Sequence, residues 1–171
     1  MLVFVLAMCA SGIARSQSSE YEVKAAFIHN IAKFVEWPVN NNVMRLCIVG
    51  DDPFGGAADV LQGKPIEDAR WQVVRPGADV DLRMCRVLFI STAESDRLSN
   101  ILESIKDSPV LTVGDTSGYA MRGVMVNFYL EAQKVRFEIN ENAAMRAGLA
   151  ISSRLLRLAR IVKNGRADEG T

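Results

Sequence analysis

Residues 86–113 read RVLFISTAESDRLSNILESIKDSPVLTV. The stretch opens with the apolar run Val87-Leu-Phe-Ile90, which has no polar alternation and reads as a strand buried on both faces. Residues 94–106 then repeat apolar positions at helical spacing, with Leu98, Ile101, Leu102 and Ile105 on one side. A second apolar run, Val110 to Val113, closes the stretch at Gly114-Asp115. Two fully buried strands linked by an amphipathic helix form a βαβ unit, and such units build parallel sheets covered by helices.

The pattern extends in both directions. Upstream, Met44-Arg-Leu-Cys-Ile-Val-Gly50 is a strand ending in a turn, residues 53–61 read as a short helix stopped by Gly63, and Trp71 to Val74 is a further strand. Before them, Ser18 and Ser19 can cap a helix over residues 20–37 that Pro38 ends. Downstream, residues 124–130 and 134–139 are strands joined by the turn Glu131-Ala-Gln133, an antiparallel hairpin. Residues 141–163 read as one long final helix capped by Asn140. The expected architecture is a single Rossmann-like three-layer α/β domain over residues 17–164, mostly parallel, with a C-terminal hairpin and a long last helix. A polar tail over 165–171 is expected to be disordered.

At 171 residues the chain is long enough to bury a core without staples. Residues 2–14, LVFVLAMCASGIA, are apolar but shorter than the roughly 20 residues a bilayer span needs. They read as a signal peptide over residues 1–16, with Ala14 and Ser16 before a cut near Gln17, and so as export to the periplasm. A lipoprotein reading through Cys9 fits less well, because Met8 is bulky before the cysteine. Lysine plus arginine equals aspartate plus glutamate in the full chain. Losing Arg15 with the leader leaves one net negative charge, which gives no electrostatic footprint for nucleic acid.

The mature chain keeps Cys47 and Cys85. Each lies in or beside an apolar strand. If the two strands are central neighbours, about 5 Å apart, a disulfide is within reach; the alternative is two buried free thiols. With no C-x-x-C pair and no histidine nearby, no metal site and no cofactor are expected.

Candidate chemistry is sparse. The single histidine, His29, is expected on the solvent side of the first helix. No G-x-S-x-G, P-loop or G-x-G-x-x-G motif occurs. Asp51 and Asp52 follow a sheet strand, where α/β folds bind ligands, but they serve equally to turn the chain and cap the next helix. With Ser91 and Asp115 at the ends of two further strands, Asp51 completes a candidate small-ligand site. The first helix has an apolar arc of about 200°, counted at 100° per residue. It runs from Trp37 through Phe34, Phe27, Ile31 and Val35 to Ile28 and Tyr21, with Lys24 inside it. One packed interface needs a narrower arc, so Lys24, Phe34 and Trp37 are candidate partner contacts. The alternative is that the whole arc is core, with the Lys24 stem reaching outward. Arg146, Arg157 and Arg160 of the expected last helix are a second candidate partner surface, or a solvated face.

The segment 21–38, YEVKAAFIHNIAKFVEWP, resembles the opening signature of the YfiR family. Ile48-Val-Gly-Asp-Asp-Pro-Phe-Gly55, Arg86-Val-Leu-Phe-Ile-Ser91 and Leu111-Thr-Val-Gly-Asp115 resemble its middle blocks. Val135-Arg-Phe-Glu-Ile-Asn140, Ala143-Ala144, Ala147-Gly-Leu149 and Ile151-Ser-Ser-Arg-Leu-Leu156 resemble its closing block. The resemblance implies a periplasmic, non-catalytic, often dimeric protein of Rossmann-like fold. It implies repression of an inner-membrane diguanylate cyclase through that enzyme's periplasmic region, lowering cyclic di-GMP and biofilm formation, with relief by an OmpA-like outer-membrane lipoprotein. Relatives can carry a second cysteine pair near the C-terminus; here no cysteine follows Cys85. The competing reading is a periplasmic sensor of a small ligand or cell-wall fragment, and an enzyme comes third.

Overall fold

A computed structural model of the chain describes residues 11–38, 42–77, 80–163 and 166–167. The expected leader and tail lie largely outside those residues. In chain order the elements are α1 (Ser11–Ala32), β1 (Val35–Glu36), β2 (Val43–Val49), β3 (Pro65–Ile66), β4 (Ala69–Val74), β5 (Val87–Ile90), α2 (Leu98–Ser104) and β6 (Leu111–Gly114). There follow β7 (Val126–Glu131), β8 (Lys134–Ile139), α3 (Glu141–Arg146), β9 (Ala150–Ile151), α4 (Ser153–Leu156), β10 (Arg160–Lys163) and β11 (Arg166–Ala167). Among the described residues no helix is long and apolar enough to cross a membrane.

The main sheet runs in the order β11-β10-β8-β7-β6-β5-β2-β4-β3. Its centre, β4-β2-β5-β6-β7, is parallel, as the apolar runs predict. The hairpin β7–β8 is antiparallel, pairing Phe128 with Phe137 and Asn127 with Glu138. Side chains alternate across each strand. Leu46, Ile48, Val87, Phe89, Leu111 and Val113 therefore enter one core, which α1 covers with Ala25, Ile28 and Ile31. Cys47, Leu88 and Ile90 enter the other, which α2 covers with Leu98 and Ile101. In that second core Cys47 and Cys85 are joined by a disulfide, their Cα atoms 5.9 Å apart.

Four expectations are corrected. First, the long final helix does not form. Gly148 takes φ +74°, a left-handed conformation that ends α3 without a Cβ penalty. The chain reverses, β9 pairs with β1, Ser152 caps the short α4, and β10 joins the sheet parallel to β8. Second, α1 stops at Ala32 rather than Trp37, because Val35 and Glu36 pair with Ile151 and Ala150. This long-range pairing outweighs continuing the helix through β-branched Val35. Third, His29 does not face solvent. It is buried, and its Nδ1 accepts a 2.8 Å hydrogen bond from Trp71 Nε1. The fully buried indole N–H of Trp71 needs an acceptor, and the imidazole reaches it from α1. Fourth, the short helix expected over residues 53–61 is two 3₁₀ turns, Gly55–Ala57 and Asp59–Leu61.

Candidate functional site

A cleft of about 920 Å³ opens beside the carboxyl ends of the parallel strands. Its walls come from the middle of α1, the segment after β6, and residues of β7, β8 and β10. On α1, positions 20 and 24 lie one turn apart and share a face. Lys24 is only 3 % exposed. Its Nζ sits 2.5 Å from Glu20 Oε1, 2.8 Å from Asp115 Oδ2, and 4.1 Å from the centroid of the Tyr21 ring. The Tyr21 hydroxyl donates to the same Asp115 oxygen at 2.7 Å. Burial, the hydrogen bond to Asp115 and the charges of Asp115 and Glu20 all hold the Tyr21 hydroxyl well above its ordinary pKa, so it remains a donor.

The other wall follows from strand register. Asn127, Glu138 and Arg160 are direct cross-strand neighbours on β7, β8 and β10, and neighbours in register interact. Glu138 is 7 % exposed. Its Oε1 accepts from Asn127 Nδ2 at 3.1 Å, and its Oε2 accepts from both Nε and Nη2 of Arg160. The Arg160 guanidinium also lies 4.1 Å from the Tyr129 ring centroid. Asn127 Nδ2 donates to the Thr116 carbonyl as well. Two buried oxygens in these walls, Thr116 Oγ1 and Asn127 Oδ1, find no hydrogen-bond partner among the described residues. Lys24 and Arg160 face three carboxylates, Glu20, Asp115 and Glu138. The exposed apolar groups Met121 and Leu130 complete the rim. The cleft thus presents charged and aromatic surface, and each cation in it is already held by protein carboxylates.

The predicted site residues are distributed unevenly. Lys24, Asp115 and Arg160 meet in the cleft, although the sequence assigned them to different candidate surfaces. Asp51 is exposed and outside it. Its neighbour Asp52 organises the turn, accepting from the Phe54 N–H at 2.8 Å and from Arg75 Nε at 2.6 Å. Ser91 is buried beside Gly50, where a Cβ would lie 2.3 Å from Ser91 Oγ. That contact explains the glycine, and it places Ser91 in the packing rather than in the cleft. Lys24 does not reach out of an apolar arc; it turns inward to Asp115. Arg146, Arg157 and Arg160 do not share a helix face, because the long helix is broken. Arg146 ends α3 and lines a separate cavity beside α2, Arg157 follows α4, and Arg160 is on β10.

The solvent face of α1 carries Val23, Ala26 and Asn30, and Phe34 stands in the turn just after it, all exposed, with Phe27 half-buried against Phe128 and Phe137. Phe34 is 37 % exposed. Trp37 is half-buried, its Nε1 donating to the Ala32 carbonyl and its ring 5.2 Å from Arg86 Cζ. Sequence reasoning missed Tyr21, Asn127, Tyr129 and Glu138 as site residues. The available signal was the polar alternation Arg136, Glu138, Asn140 in a sheet whose central strands are apolar on both faces. Among the described residues no cluster of three or more His, Cys, Asp or Glu is placed to hold a metal ion.

The sequence profile of the family described as YfiR/HmsC-like matches residues 21–160. Among solved structures, a conserved domain protein from Vibrio cholerae O1 biovar El Tor str. N16961 is similar, with TM-score 0.57 and 11 % identity. The match covers 84 % of this chain and 60 % of that one. An ABC domain from Streptococcus pneumonia, solved in complex with L-Trp, is similar with TM-score 0.53 and 8 % identity, covering 84 % and 62 %. The chain thus spans about three fifths of the length of each. At these identities the likeness is one of fold, a mixed α/β architecture around a mostly parallel sheet.

Proposed function

The chain belongs to the YfiR/HmsC-like family, and on that premise we propose that it is a periplasmic regulatory protein that acts by binding other proteins. In this reading residues 1–16 are a leader removed on export, and residues 17–164 form the working domain. The domain represses an inner-membrane diguanylate cyclase by docking on its periplasmic region. That lowers cyclic di-GMP and biofilm formation until an OmpA-like outer-membrane lipoprotein sequesters the repressor. It also pairs with itself as a homodimer.

The observation that carries the docking reading is the outer stripe of α1. The inner side of this helix is spent on the core and on the Lys24–Asp115 contact, yet Val23, Ala26 and the half-buried Phe27, with Phe34 in the turn that follows, still present an apolar surface. Helices that serve one interface place polar groups there. Aromatic residues in such positions often dominate binding, at roughly 2 kcal/mol or more when truncated. Phe34→Glu and Val23→Glu, both at exposed sites, are expected to keep the melting temperature. They are expected to abolish co-purification with the cyclase's periplasmic region and to raise cellular cyclic di-GMP. Unchanged cyclase repression in both variants would overturn the assignment of α1, and mass spectrometry of the periplasmic protein tests the start near Gln17.

A second reading is favoured by the unpartnered oxygens of Thr116 and Asn127 in the cleft and by the fold shared with an L-Trp-bound domain. It makes the cleft a small-ligand sensor. L-Trp that raises the melting temperature of the wild type but not of Arg160→Ala supports it; no shift in either counts against it.

A further inference from the structure

Away from the cleft, a second cavity of about 350 Å³ lies between α2, the start of β6 and α3. Small residues create it. Gly123, at φ +108°, brings the chain into β7 without a side chain, and Ala143 of α3 and Ala147 just after it keep that wall low. Leu102, Ile105, Val110 and Met125 supply the apolar part of the lining, beside the hydroxyl residues Ser99 and Thr112. Its volume falls at the lower end of the range for small-molecule sites, which combine an apolar body with a few convergent polar groups.

The rim supplies those groups. Glu103 is paired with Lys106 at 3.2 Å, and Asp107 is the other acid. Against them stand two guanidinium groups with no carboxylate partner among the described residues. Arg122 is held in place by donating to the Ser95 carbonyl and by the nearby Tyr119 ring. The exposed side chain of Arg146 has no ion pair or hydrogen bond among the described residues and lines the same cavity. A guanidinium fork recognises a carboxylate through paired N–H donors. We propose that this cavity binds a small aromatic carboxylate, its ring among Leu102, Val110 and Met125 and its charge between Arg122 and Arg146.

Benzoate, titrated into the full domain and followed by amide and methyl NMR shifts, is the probe. Saturable binding near a Kd of about 1 mM is expected for a ligand of this size, with shifts centred on Leu102, Met125 and Ala147. Arg146→Glu, at an exposed site, is expected to weaken binding at least about tenfold, as is replacing benzoate by neutral benzamide. Ala147→Leu, which fills the space, is expected to abolish it, whereas Arg160→Ala in the other cleft leaves it intact. Absence of saturable shifts, or equal binding of benzamide and benzoate, overturns the proposal. So does binding that survives both Arg146→Glu and Ala147→Leu. None of these outcomes bears on docking through α1, which the Phe34 variant tests separately.

Discussion

Replacing Asp115 by asparagine removes one charge from the Lys24 cluster while keeping the shape and an oxygen for the Tyr21 hydroxyl. In the wild type the ammonium is buried and lies within hydrogen-bonding distance of both Glu20 and Asp115. Breaking a buried pair from one side typically costs about 3–5 kcal/mol, because the remaining charge is left poorly compensated. Glu20 stays at 2.5 Å and is itself partly exposed, so the lower end, about 3 kcal/mol, is the expected loss. For a domain of this size each kcal/mol moves the melting temperature by about 2–4 °C, giving a fall of about 6–12 °C. Lys24→Met should cost a similar amount by leaving Asp115 with only the tyrosine hydroxyl. The double variant Lys24→Met/Asp115→Asn should lose much less than the sum, because no buried charge is then left unpaired and only the partly exposed Glu20 loses its cation. Thermal melts followed by circular dichroism at one ionic strength, closed as a double-mutant cycle, supply the measurement. A drop under about 2 °C for Asp115→Asn, or additive single losses, would refute the claim that this pair pins α1 to the end of β6.

Burial, reinforced by the charges of Lys33 and Lys64, holds the His29 pKa below its ordinary 6.5; as pH falls below about 6.5 the unfolded chain takes up a proton that the folded chain refuses. Stability should therefore be flat above that pH and decline below it, and His29→Gln should flatten the decline; an unchanged slope removes His29 as its source. The mature chain, denatured without reductant, should titrate no free thiol. Reducing the Cys47–Cys85 bond, which spans 38 residues, should lower stability by about 2–4 kcal/mol in urea melts. Two titratable thiols would show the bond absent. Gly114→Ala should destabilise, since its Cβ would lie 2.7 Å from Tyr119 Cδ2 in a fully buried site; a melt matching the wild type would show that the ring yields freely.

The central parallel sheet, the covering helices and the closing hairpin were legible in the order of residues alone. Runs such as Val87–Ile90 bury both faces wherever they go, and period-2 and period-3.6 patterns are local properties. The sequence also placed Cys47 and Cys85 on elements that could meet, once two apolar strands were taken as neighbours. The end of α1, the fate of residues 141–163 and the make-up of the cleft were decided only by tertiary structure. Residues 35–36 became a strand because residues 150–151, more than a hundred positions away, offered backbone partners. Residues 160–163 read as helix in isolation, yet β8 offered an unpaired edge whose hydrogen bonds outweighed that weak preference. His29 and Lys24 show the same limit at the level of side chains. A helical wheel ranks residues by face, but it cannot show that the indole N–H of Trp71 and the carboxylate of Asp115 wait on the far side of the packing. Buried polar groups must be paired, and the partners that satisfy these two are 42 and 91 residues distant.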